Sequence, residues 1–314
     1  MTTSTPDRQT DPHCETLRRE LSLRLARYAE TERVIVTPIP GFLVSMRTAP
    51  SACLFLRYEP ELVLFLQGEK QIELGGTLYR HTGGSFLLTS IDLPVMSQIT
   101  RATPEEPYLA AVQRLDMNLV REMMSREEFP PLAPGQAPQG MASGVATAEM
   151  LDAVLRLVKL LERPAEIAVL ADLIQRELVF RVLQGPQGGH LRAIATLGDQ
   201  SQRTAKAVAW LRDNYTKTLR MEELAEVAQM GVSTLHHHFR SLTSMSPLQY
   251  QKRLRLHTAR ERMLLEGIDA ASAAFEVGYE SPSQFSREYR RLFGQPPMRD
   301  VKTRRTPTAE AAYS

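Results

Sequence analysis

The sequence predicts an α+β fold, in which an antiparallel β-barrel with flanking helices precedes an all-α domain of two helix-turn-helix units joined by a long helix. Short β-rich runs separated by Gly, Pro and Asp fill residues 34–115, at the spacing of a small barrel or sandwich. The segment at 224–247 then recurs, in its pattern of apolar residues, at 274–297. This duplication is the feature that bears most directly on function.

The composition indicates a reduced protein with a basic C-terminal third. Residues 1–13 are polar and lack the apolar stretch of a signal peptide, and no apolar run is long enough to span a bilayer. Only two cysteines occur, Cys14 and Cys53. Residues 201–305 carry 18 Lys and Arg against 11 Asp and Glu. We therefore expect a cytoplasmic protein that is not associated with a membrane. The charge of the C-terminal module suits a polyanion partner, but it equally suits an ordinary basic surface.

The N-terminal half is predicted to begin with a helix over residues 14–31 and to continue as the barrel. Gly75-Gly76 and Gly83-Gly84 occupy positions typical of hairpin turns. Residues 129–145 are rich in Pro, Gly and Ala and are predicted to form a loop.

Two further helices are predicted at 147–162 and 165–184, followed by a linker over 185–203. Their leucine stripes suit either a dimer interface or a cover for the barrel. The predicted domains are a sensor or regulatory domain at 14–128, a helical pair at 146–190 that is a candidate for dimerisation, and the repeat domain at 204–303.

Each copy of the repeat is predicted to be two helices joined by a tight turn, with the second helix buried on one face and exposed on the other. In the first copy Gln229-Met230-Gly231 form the turn. The residues predicted to face inward are Leu224, Val227, Ala228, Leu235, Phe239 and Leu242. The outward stripe is Ser233, His236, His237 and Arg240.

The second copy repeats this layout at an offset of fifty residues, which pairs Val277 with Val227. Ser281 is predicted to cap the second helix, and Pro282 takes its first position, where a missing N–H costs nothing. The inner stripe is Phe285, Tyr289 and Leu292, and the outer stripe is Ser283, Ser286, Arg287 and Arg290. Between the copies, residues 247–265 predict one helix of roughly 28 Å, which is close to the ~34 Å turn of B-DNA.

The duplicated unit points to DNA, because an α-helix fits the major groove and Ser, His and Arg hydrogen-bond to base edges and phosphates. The segments MGVSTLHHHFRSLTSMSPLQYQKRLRLHTAR and AAFEVGYESPSQFSREYRRLFGQPP resemble the DNA-binding domain of AraC/XylS-family transcriptional regulators. The segments LFLQGEKQIELGG, IDLPVMSQ and RELVFRVLQGPQG resemble the cupin-like N-terminal domain of one AraC subfamily and its helical continuation.

The resemblance implies a sequence-specific regulator whose two units read adjacent major grooves of double-stranded DNA. It also implies a homodimer, a contact with RNA polymerase, and control by a small-molecule effector in the N-terminal domain. The candidates for base reading are Ser233, His236, His237, Ser283, Ser286 and Arg287. The candidates for DNA backbone contacts are Arg240, Arg253, Arg290 and Arg291. Many members of the family have Arg at the position of His237 and a Ser cap at Gly231, so we expect weaker base reading by the first unit.

Two other classes of function stay open at this point. One is a metal-dependent cupin enzyme, which needs a cluster of His and carboxylate ligands, yet residues 34–115 hold only His81, expected at the surface. The other is a nucleoid-like protein that binds DNA without specificity. His236, His237 and His238 point about 100° apart on a helix and cannot converge on one ion, so we expect no metal and no cofactor.

Four arginines in the β-rich region raise the question of an anionic effector. They are Arg57, Arg80, Arg101 and Arg114. Arginines on strands usually face solvent, and we expect that here.

Overall fold

The computed structural model describes residues 2–4, 11–28, 34–126, 129 and 138–305. The chain divides into two compact units, one of Met1–Ala205 with His237–Ser244 and one of Lys206–His236 with Met245–Ser314. The strands are β1 (Thr2–Ser4), β2 (Val34–Val36), β3 (Phe42–Arg47), β4 (Leu54–Tyr58), β5 (Glu61–Gln67), β6 (Glu69–Leu74), β7 (Thr77–Thr82), β8 (Ser85–Thr89), β9 (Leu93–Arg101), β10 (Tyr108–Arg114) and β11 (Met141–Val145). The helices are α1 (Pro12–Tyr28), α2 (Met117–Arg126), α3 (Ala148–Leu161), α4 (Pro164–Gln184), α5 (Gly188–Ala195), α6 (Gln200–Asp213), α7 (Met221–Ala228), α8 (Val232–Thr243), α9 (Pro247–Leu265), α10 (Ala270–Glu276), α11 (Pro282–Phe293) and α12 (Pro297–Arg305).

The strands of the first unit form two sheets, in the orders β1-β7-β6-β9-β4 and β11-β8-β5-β10-β3-β2. The β1–β7 pair is parallel, and the other pairs of described strands are antiparallel. The α+β fold predicted from the sequence, with an N-terminal β-domain and a C-terminal helical domain, is therefore confirmed.

One of the two predicted glycine turns is a hairpin and the other is not. Gly75 and Gly76 have φ angles of 59° and 90° and join β6 to β7, as a two-residue hairpin turn of type I′ requires. The hairpin prediction at Gly83-Gly84 is wrong, because β7 and β8 lie in different sheets. This glycine pair carries the chain from one sheet to the other.

Strand β5 is the centre of the first unit and is buried on both faces. Leu62, Leu64 and Leu66 point to one face and join a core with residues of α1, α3 and α4. Phe65 points to the opposite face, where its ring stacks on His81 of the other sheet. The expectation that His81 lies at the surface is wrong, because its side chain is completely buried between the sheets.

Two segments predicted to be irregular contain regular structure. Within the predicted loop 129–145, Met141–Val145 is strand β11, paired with β8, while residues 130–137 lie outside the described residues. Gly144 permits this pairing, since a Cβ on it would lie 2.5 Å from the Phe86 ring. Within the predicted linker 185–203, Gly188–Ala195 is the buried helix α5, and α6 begins at Gln200.

The second unit has a core formed by the last four helices. It comprises Leu256, Ala259 and Met263 of α9, Ala273, Ala274 and Val277 from α10 and its end, Tyr279, Phe285 and Tyr289 near and on α11, and Val301 of α12. Helix α9 begins with a capping box, in which Ser246 and Gln249 satisfy each other's backbone N–H groups, and Pro247 is at its first position. None of the described helices is both long and apolar enough to cross a bilayer.

Candidate nucleic-acid interface

The first helix-turn-helix consists of α7 and α8. Helix α7 ends in Gln229, a non-glycine residue in the left-handed region with φ of 53°, and the Met230 N–H donates to the Ala225 carbonyl at 3.0 Å. Leu235, Phe239 and Leu242 of α8 are buried as predicted. Val227, and Leu292 of the second copy, were also predicted to face inward and are only half-buried.

The second helix-turn-helix has a longer turn, which the offset of fifty residues conceals. Gly278, with φ of 89°, takes the left-handed position, and the Tyr279 N–H donates to the Ala274 carbonyl at 2.9 Å. Gly278 is thus the counterpart of Gln229, and Val277 that of Ala228. The two second helices keep the offset of fifty, since α8 begins at Val232 and α11 at Pro282. The second turn therefore contains one additional residue.

The outward stripes have the exposure that a reading surface needs. On α8, Ser233, His236, His237 and Arg240 are exposed, and on α11 Ser283, Arg287 and Arg290 are exposed, as is Arg291. Ser286 is half-buried on α11, and Arg253 is half-buried on α9. Among the described residues, neither Arg287 nor Arg290 takes part in an ion pair. Their guanidinium groups are available for phosphates or base edges.

The two turns begin their second helices differently. The Ser281 hydroxyl accepts a hydrogen bond from the Gln284 N–H at 3.4 Å and caps α11, as predicted. Gly231 stands at the same place before α8 and has no side chain to offer. A Cβ there would meet its nearest neighbour, Thr234 Oγ1, only at 4.0 Å. Helix α8 therefore lacks a side-chain cap because the residue is glycine, although there is room for a larger side chain.

Arg255 of α9 fixes the second turn and was not singled out by the sequence. Its guanidinium donates to the carbonyl oxygens of Tyr215 at 2.6 Å and Gly278 at 2.8 Å, and also to those of Thr216 and Lys217. Gln251, one helical turn earlier, donates to Tyr215 and Lys217 as well. The long helix therefore clamps both the segment before α7 and the turn before α11.

Gly278 is required by this clamp on two grounds. Its φ of 89° disfavours any side chain, and a Cβ on it would lie 2.0 Å from the Thr216 carbonyl oxygen. The turn of the second helix-turn-helix is consequently pressed against the segment that leads into the first helix-turn-helix.

Glu288 orients α11 from its inner edge. It accepts from Lys252 Nζ at 2.8 Å, from the Tyr279 hydroxyl at 2.8 Å and from Gln284 Nε2 at 3.3 Å. Burial opposes ionisation, but these hydrogen bonds outweigh it and hold the pKa of Glu288 below its ordinary value. The carboxylate thereby links α9, the turn and the face of α11 next to the reading stripe.

A buried ion pair joins the far side of α11 to its neighbours. Arg260 of α9 contacts Asp300 of α12 at 2.7 Å, with both side chains only 8% exposed. The Tyr289 hydroxyl of α11 donates to the same carboxylate at 2.8 Å, and the guanidinium lies 4.3 Å from the centre of the Phe293 ring. Three helices thus share one charged centre, which the sequence did not predict because Asp300 lies in the unpredicted helix α12.

The three consecutive histidines spread around α8. His236 and His237 are exposed, His238 is half-buried, and the rings of His237 and His238 meet edge to face at 5.3 Å. In the described part of the chain, no group of three or more His, Cys, Asp or Glu side chains has a geometry that could hold a metal ion.

Comparison with known proteins identifies the family. The profile of the AraC-type transcriptional regulator N-terminus matches residues 38–190, and that of a helix-turn-helix domain matches residues 224–302. The chain belongs to the AraC family of transcriptional regulators.

Among curated AraC-family relatives, the chain is 31% identical over 105 residues to the HTH-type transcriptional activator RhaS of Yersinia pestis. It is 30% identical over 100 residues to RhaS of Pectobacterium carotovorum. These matches cover 33% and 32% of this chain but only 38% and 36% of the relatives.

Over 85% of its length, the chain has a fold similar to that of ToxT from Vibrio cholerae. The apo form superposes with a TM-score of 0.52 at 10% identity, over 85% of this chain and 99% of ToxT. ToxT bound to an unsaturated fatty acid gives 0.51 at the same identity, over 85% and 97%. At this identity the likeness concerns the fold alone.

The strand arginines of this AraC-family chain face solvent, as expected. Arg57 and Arg101 are exposed, Arg80 pairs with Glu69 at 3.5 Å, and Arg114 pairs with Glu59 at 3.4 Å. None of these four points an unpaired guanidinium into the β-domain.

Proposed function

We propose that this protein is a sequence-specific DNA-binding transcriptional regulator, with base reading by Ser233, His236, His237, Ser283, Ser286 and Arg287 and backbone contacts by Arg240, Arg253, Arg290 and Arg291. The observation that carries the proposal is the pair of second helices, α8 and α11, each buried on one stripe and polar or basic on the exposed stripe. The domain limits that go with it are 14–128, 146–190 and 204–303.

The mechanism separates register from specificity. Exposed arginines neutralise phosphates and fix the position of each unit, which is a sequence-independent contribution. The serines, histidines and Arg287 then hydrogen-bond to base edges in two successive major grooves. Of these groups only Arg287 has the planar fork that reads guanine bidentately. We therefore expect the second helix-turn-helix to contribute more of the discrimination between DNA sequences.

Control by a small-molecule effector in the N-terminal β-domain completes the proposal. An effector acts by binding one state of the protein more tightly, and so shifting the population able to engage an asymmetric operator. Family membership supports RNA polymerase as the protein partner, the bacterial cytoplasm and its nucleoid as the place of action, and a regulatory role without enzymatic activity or cofactor.

A homodimer is the proposed assembly, and helix α4 is the proposed interface. Its first half carries three apolar side chains in solvent: Val169 is 68% exposed, Leu170 37% and Leu173 58%. Leu173 lies one helical turn after the adjacent pair Val169 and Leu170 on this 21-residue helix, a pattern that a second copy of the helix would bury.

Substitution of Leu173 by Glu tests this interface. We expect Leu173→Glu to shift the mass measured by sedimentation equilibrium from dimer to monomer, because a charge would be placed in a desolvated contact. Leu197→Glu, at a leucine 75% exposed outside α4, serves as the control and should leave the mass unchanged. Equal masses for all three proteins would remove α4 from the proposal.

The function itself is tested by selecting bound sequences from a random DNA pool with the full chain. A single asymmetric motif spanning two major-groove segments is the expected result. Specific binding should exceed binding to random DNA by about 10³-fold or more at physiological salt. Recovery of no preferred sequence would favour the nucleoid-like alternative. Stoichiometric metal in the purified protein, together with turnover, would favour the cupin-type enzyme.

A further inference from the structure

A cluster of polar and aromatic side chains lies between the two sheets of the β-domain. It consists of Lys70 on β6, His81 on β7, Tyr58 at the end of β4, Tyr108 at the start of β10 and Glu61 at the start of β5. We call these five residues the intersheet cluster. Tyr58, His81 and Tyr108 are buried, whereas Lys70 and Glu61 keep partial access to solvent.

The Lys70 ammonium is the centre of the cluster. It lies 5.5 Å from the centre of the Tyr58 ring and 5.7 Å from that of the Tyr108 ring. No described carboxylate oxygen lies within the 4.0 Å of an ion pair. Burial disfavours the charge, but Tyr108, Tyr58 and Glu61 outweigh it and raise the pKa of Lys70. The β-domain therefore holds a half-buried positive charge without a salt-bridge partner among the described residues.

His81 supplies a second unused group beside this charge. It is the cross-strand partner of Lys70, and its ring stacks on Phe65 at 4.4 Å with an interplanar angle of 14°. Neither imidazole nitrogen has a hydrogen-bond partner among the described residues. Burial, assisted by the Lys70 charge, lowers the pKa of His81 to about 3. The ring is thus neutral and offers one unused donor and one unused acceptor.

Such groups weaken a fold unless something else completes them. A charge and an imidazole that are shielded from water without partners lose hydration, which costs free energy of folding. Most protein cores have apolar side chains at such positions. Here the unsatisfied groups converge on one place with aromatic walls, which is the composition of a ligand site. Polar groups left incomplete in this way are typical of functional positions.

We propose that the intersheet cluster is the effector site and that its ligand is a small monocarboxylate with a flat apolar body. The carboxylate would accept from Lys70 Nζ, the tyrosine hydroxyls and an imidazole N–H, while Phe65 and the tyrosine rings contact the apolar body. This inference rests on the proposed function, since it names the effector class of that regulator. Binding is reversible and non-covalent, because attack on a carbonyl needs a neutral amine and Lys70 is charged.

Glu61 lies four residues before Phe65 on β5, so both side chains point to the same face of the strand, the face on which the Phe65 ring stacks on His81. From this position Glu61 makes the binding depend on pH. Burial raises its pKa to about 7, opposed by Lys70 and Arg114 and assisted by Glu59. An ionised Glu61 would compete with the ligand for the single ammonium, so the protonated form is the one that binds. Affinity should fall about tenfold between pH 6 and pH 8, following the protonated fraction of a group with a pKa near 7.

The experiment is calorimetric titration of the full chain with benzoate, phenylacetate and 2-naphthoate, each against its uncharged amide. At least one carboxylate should bind at pH 6 about tenfold or more tightly than its amide. Lys70→Met should abolish this preference and yet fold with equal or greater stability, since it removes an unpaired, half-buried charge. Lys206→Met, at an exposed lysine of α6, is the matched control and should bind as the parent does.

Three further variants separate the parts of the site. Tyr58→Phe keeps the ring but removes the hydroxyl and should weaken the carboxylate several-fold. His81→Phe should do the same, and Glu61→Gln should abolish the pH dependence. Absence of any preference for carboxylates over amides, or binding that survives Lys70→Met, overturns the proposal. Loss of the folded state in Lys70→Met would also overturn it, because the ammonium would then be a structural element.

Measuring operator binding with the same preparation separates a failure of the proposed carboxylate site from a failure of the proposed DNA-binding function. Specific DNA binding without any carboxylate binding would reject the intersheet site and leave the regulator standing. Carboxylate binding without DNA specificity would reject the regulator and leave the site.

Discussion

At the scale of single residues, helix α11 presents two exposed arginines of different expected roles. Arg287 and Arg290 lie three positions apart on α11, and both are exposed. Both belong to the outward stripe, but Arg287 lies one turn from Ser283 and Arg290 lies in the last turn of the helix. This arrangement makes α11 a place where base reading and phosphate contact can be measured against each other with identical substitutions.

We predict that Arg287→Ala lowers discrimination by about 1–3 kcal/mol at one position of the distal half-site, because a bidentate contact with a base is lost. Arg290→Ala, the matched control, should weaken all sequences about equally and reduce the salt dependence by about one counterion. Arg253→Ala should behave like Arg290→Ala. Titrations against base-substituted operators at several salt concentrations measure both effects. Uniform weakening by Arg287→Ala would show that it contacts phosphate.

Two glycines give a second prediction at the scale of residues. Gly278 and Gly294 both have a left-handed backbone, but only Gly278 has other atoms close to where a Cβ would lie. Gly278→Ala should lower the free energy of unfolding by on the order of 3 kcal/mol, because the left-handed backbone and the clash with the Thr216 carbonyl act together. Gly294→Ala has a similar φ of 79° but no atom within 4 Å, so only about 1 kcal/mol is expected. Chemical denaturation of both variants is the measurement, and equal losses would mean that the close approach is relieved by small shifts.

At the scale of elements, the two helix-turn-helix units differ at the start of their second helices. We predict that Gly231→Ser stabilises the protein by about 0.5–1 kcal/mol, because it adds a capping hydroxyl and reduces the freedom of the unfolded chain. Gly231→Ala lacks the hydroxyl and should gain less. Ser281→Ala should cost about 1 kcal/mol at the equivalent position. The denaturation midpoints of these variants measure the effect of each cap on stability. A destabilised Gly231→Ser would mean that the backbone at the start of α8 requires glycine.

The same elements show how far the sequence could predict this fold. The long helix Pro247–Leu265 was predicted to the residue, because Ser246 and Pro247 mark its start and Gly267 follows its end. Strand β11 escaped prediction because MASGV is short and follows a Pro-rich stretch, and its pairing with β8 is a long-range event. Helix α5 begins with Gly188-Gly189, which local propensity assigns to a linker, and tertiary burial overrides that preference.

The candidate sites divide in the same way. The outward stripes of α8 and α11 follow from helical periodicity, which a sequence displays directly. The intersheet cluster does not, since Lys70 and His81 come from one hairpin, Tyr58 from another strand of the same sheet and Tyr108 from the other sheet, so the four residues meet only when distant segments pack together. The isolated His81 in a polar strand resembled a surface residue for this reason. Arg255 likewise acts through carbonyl groups, which carry no signal in the sequence.

At the scale of the whole molecule, the two units should respond differently to acid. In the β-domain the shifts oppose each other: the pKa of His81 is lowered to about 3, whereas that of Glu61 is raised to about 7. A lowered histidine pKa removes stability as the pH falls, and a raised carboxyl pKa removes stability as the pH rises. In the second unit, burial beside Arg260 and Arg253 lowers the pKa of His257 to about 2, so that this histidine acts in one direction.

We predict that the second unit loses about 2 kcal/mol between pH 7 and pH 5 through His257 alone, because the unfolded chain takes up a proton near pH 6.5 that the folded state refuses. Trp210, the only tryptophan, lies on α6 in this unit, so its fluorescence in a denaturant titration follows the unit directly. His257→Gln cannot titrate and should lose about 2 kcal/mol less than the parent over the same interval. His236→Gln, at an exposed histidine, should follow the parent. If the parent and His257→Gln lose the same stability, protons enter the folded core around His257, and its burial does not set the acid limit of the DNA-binding unit.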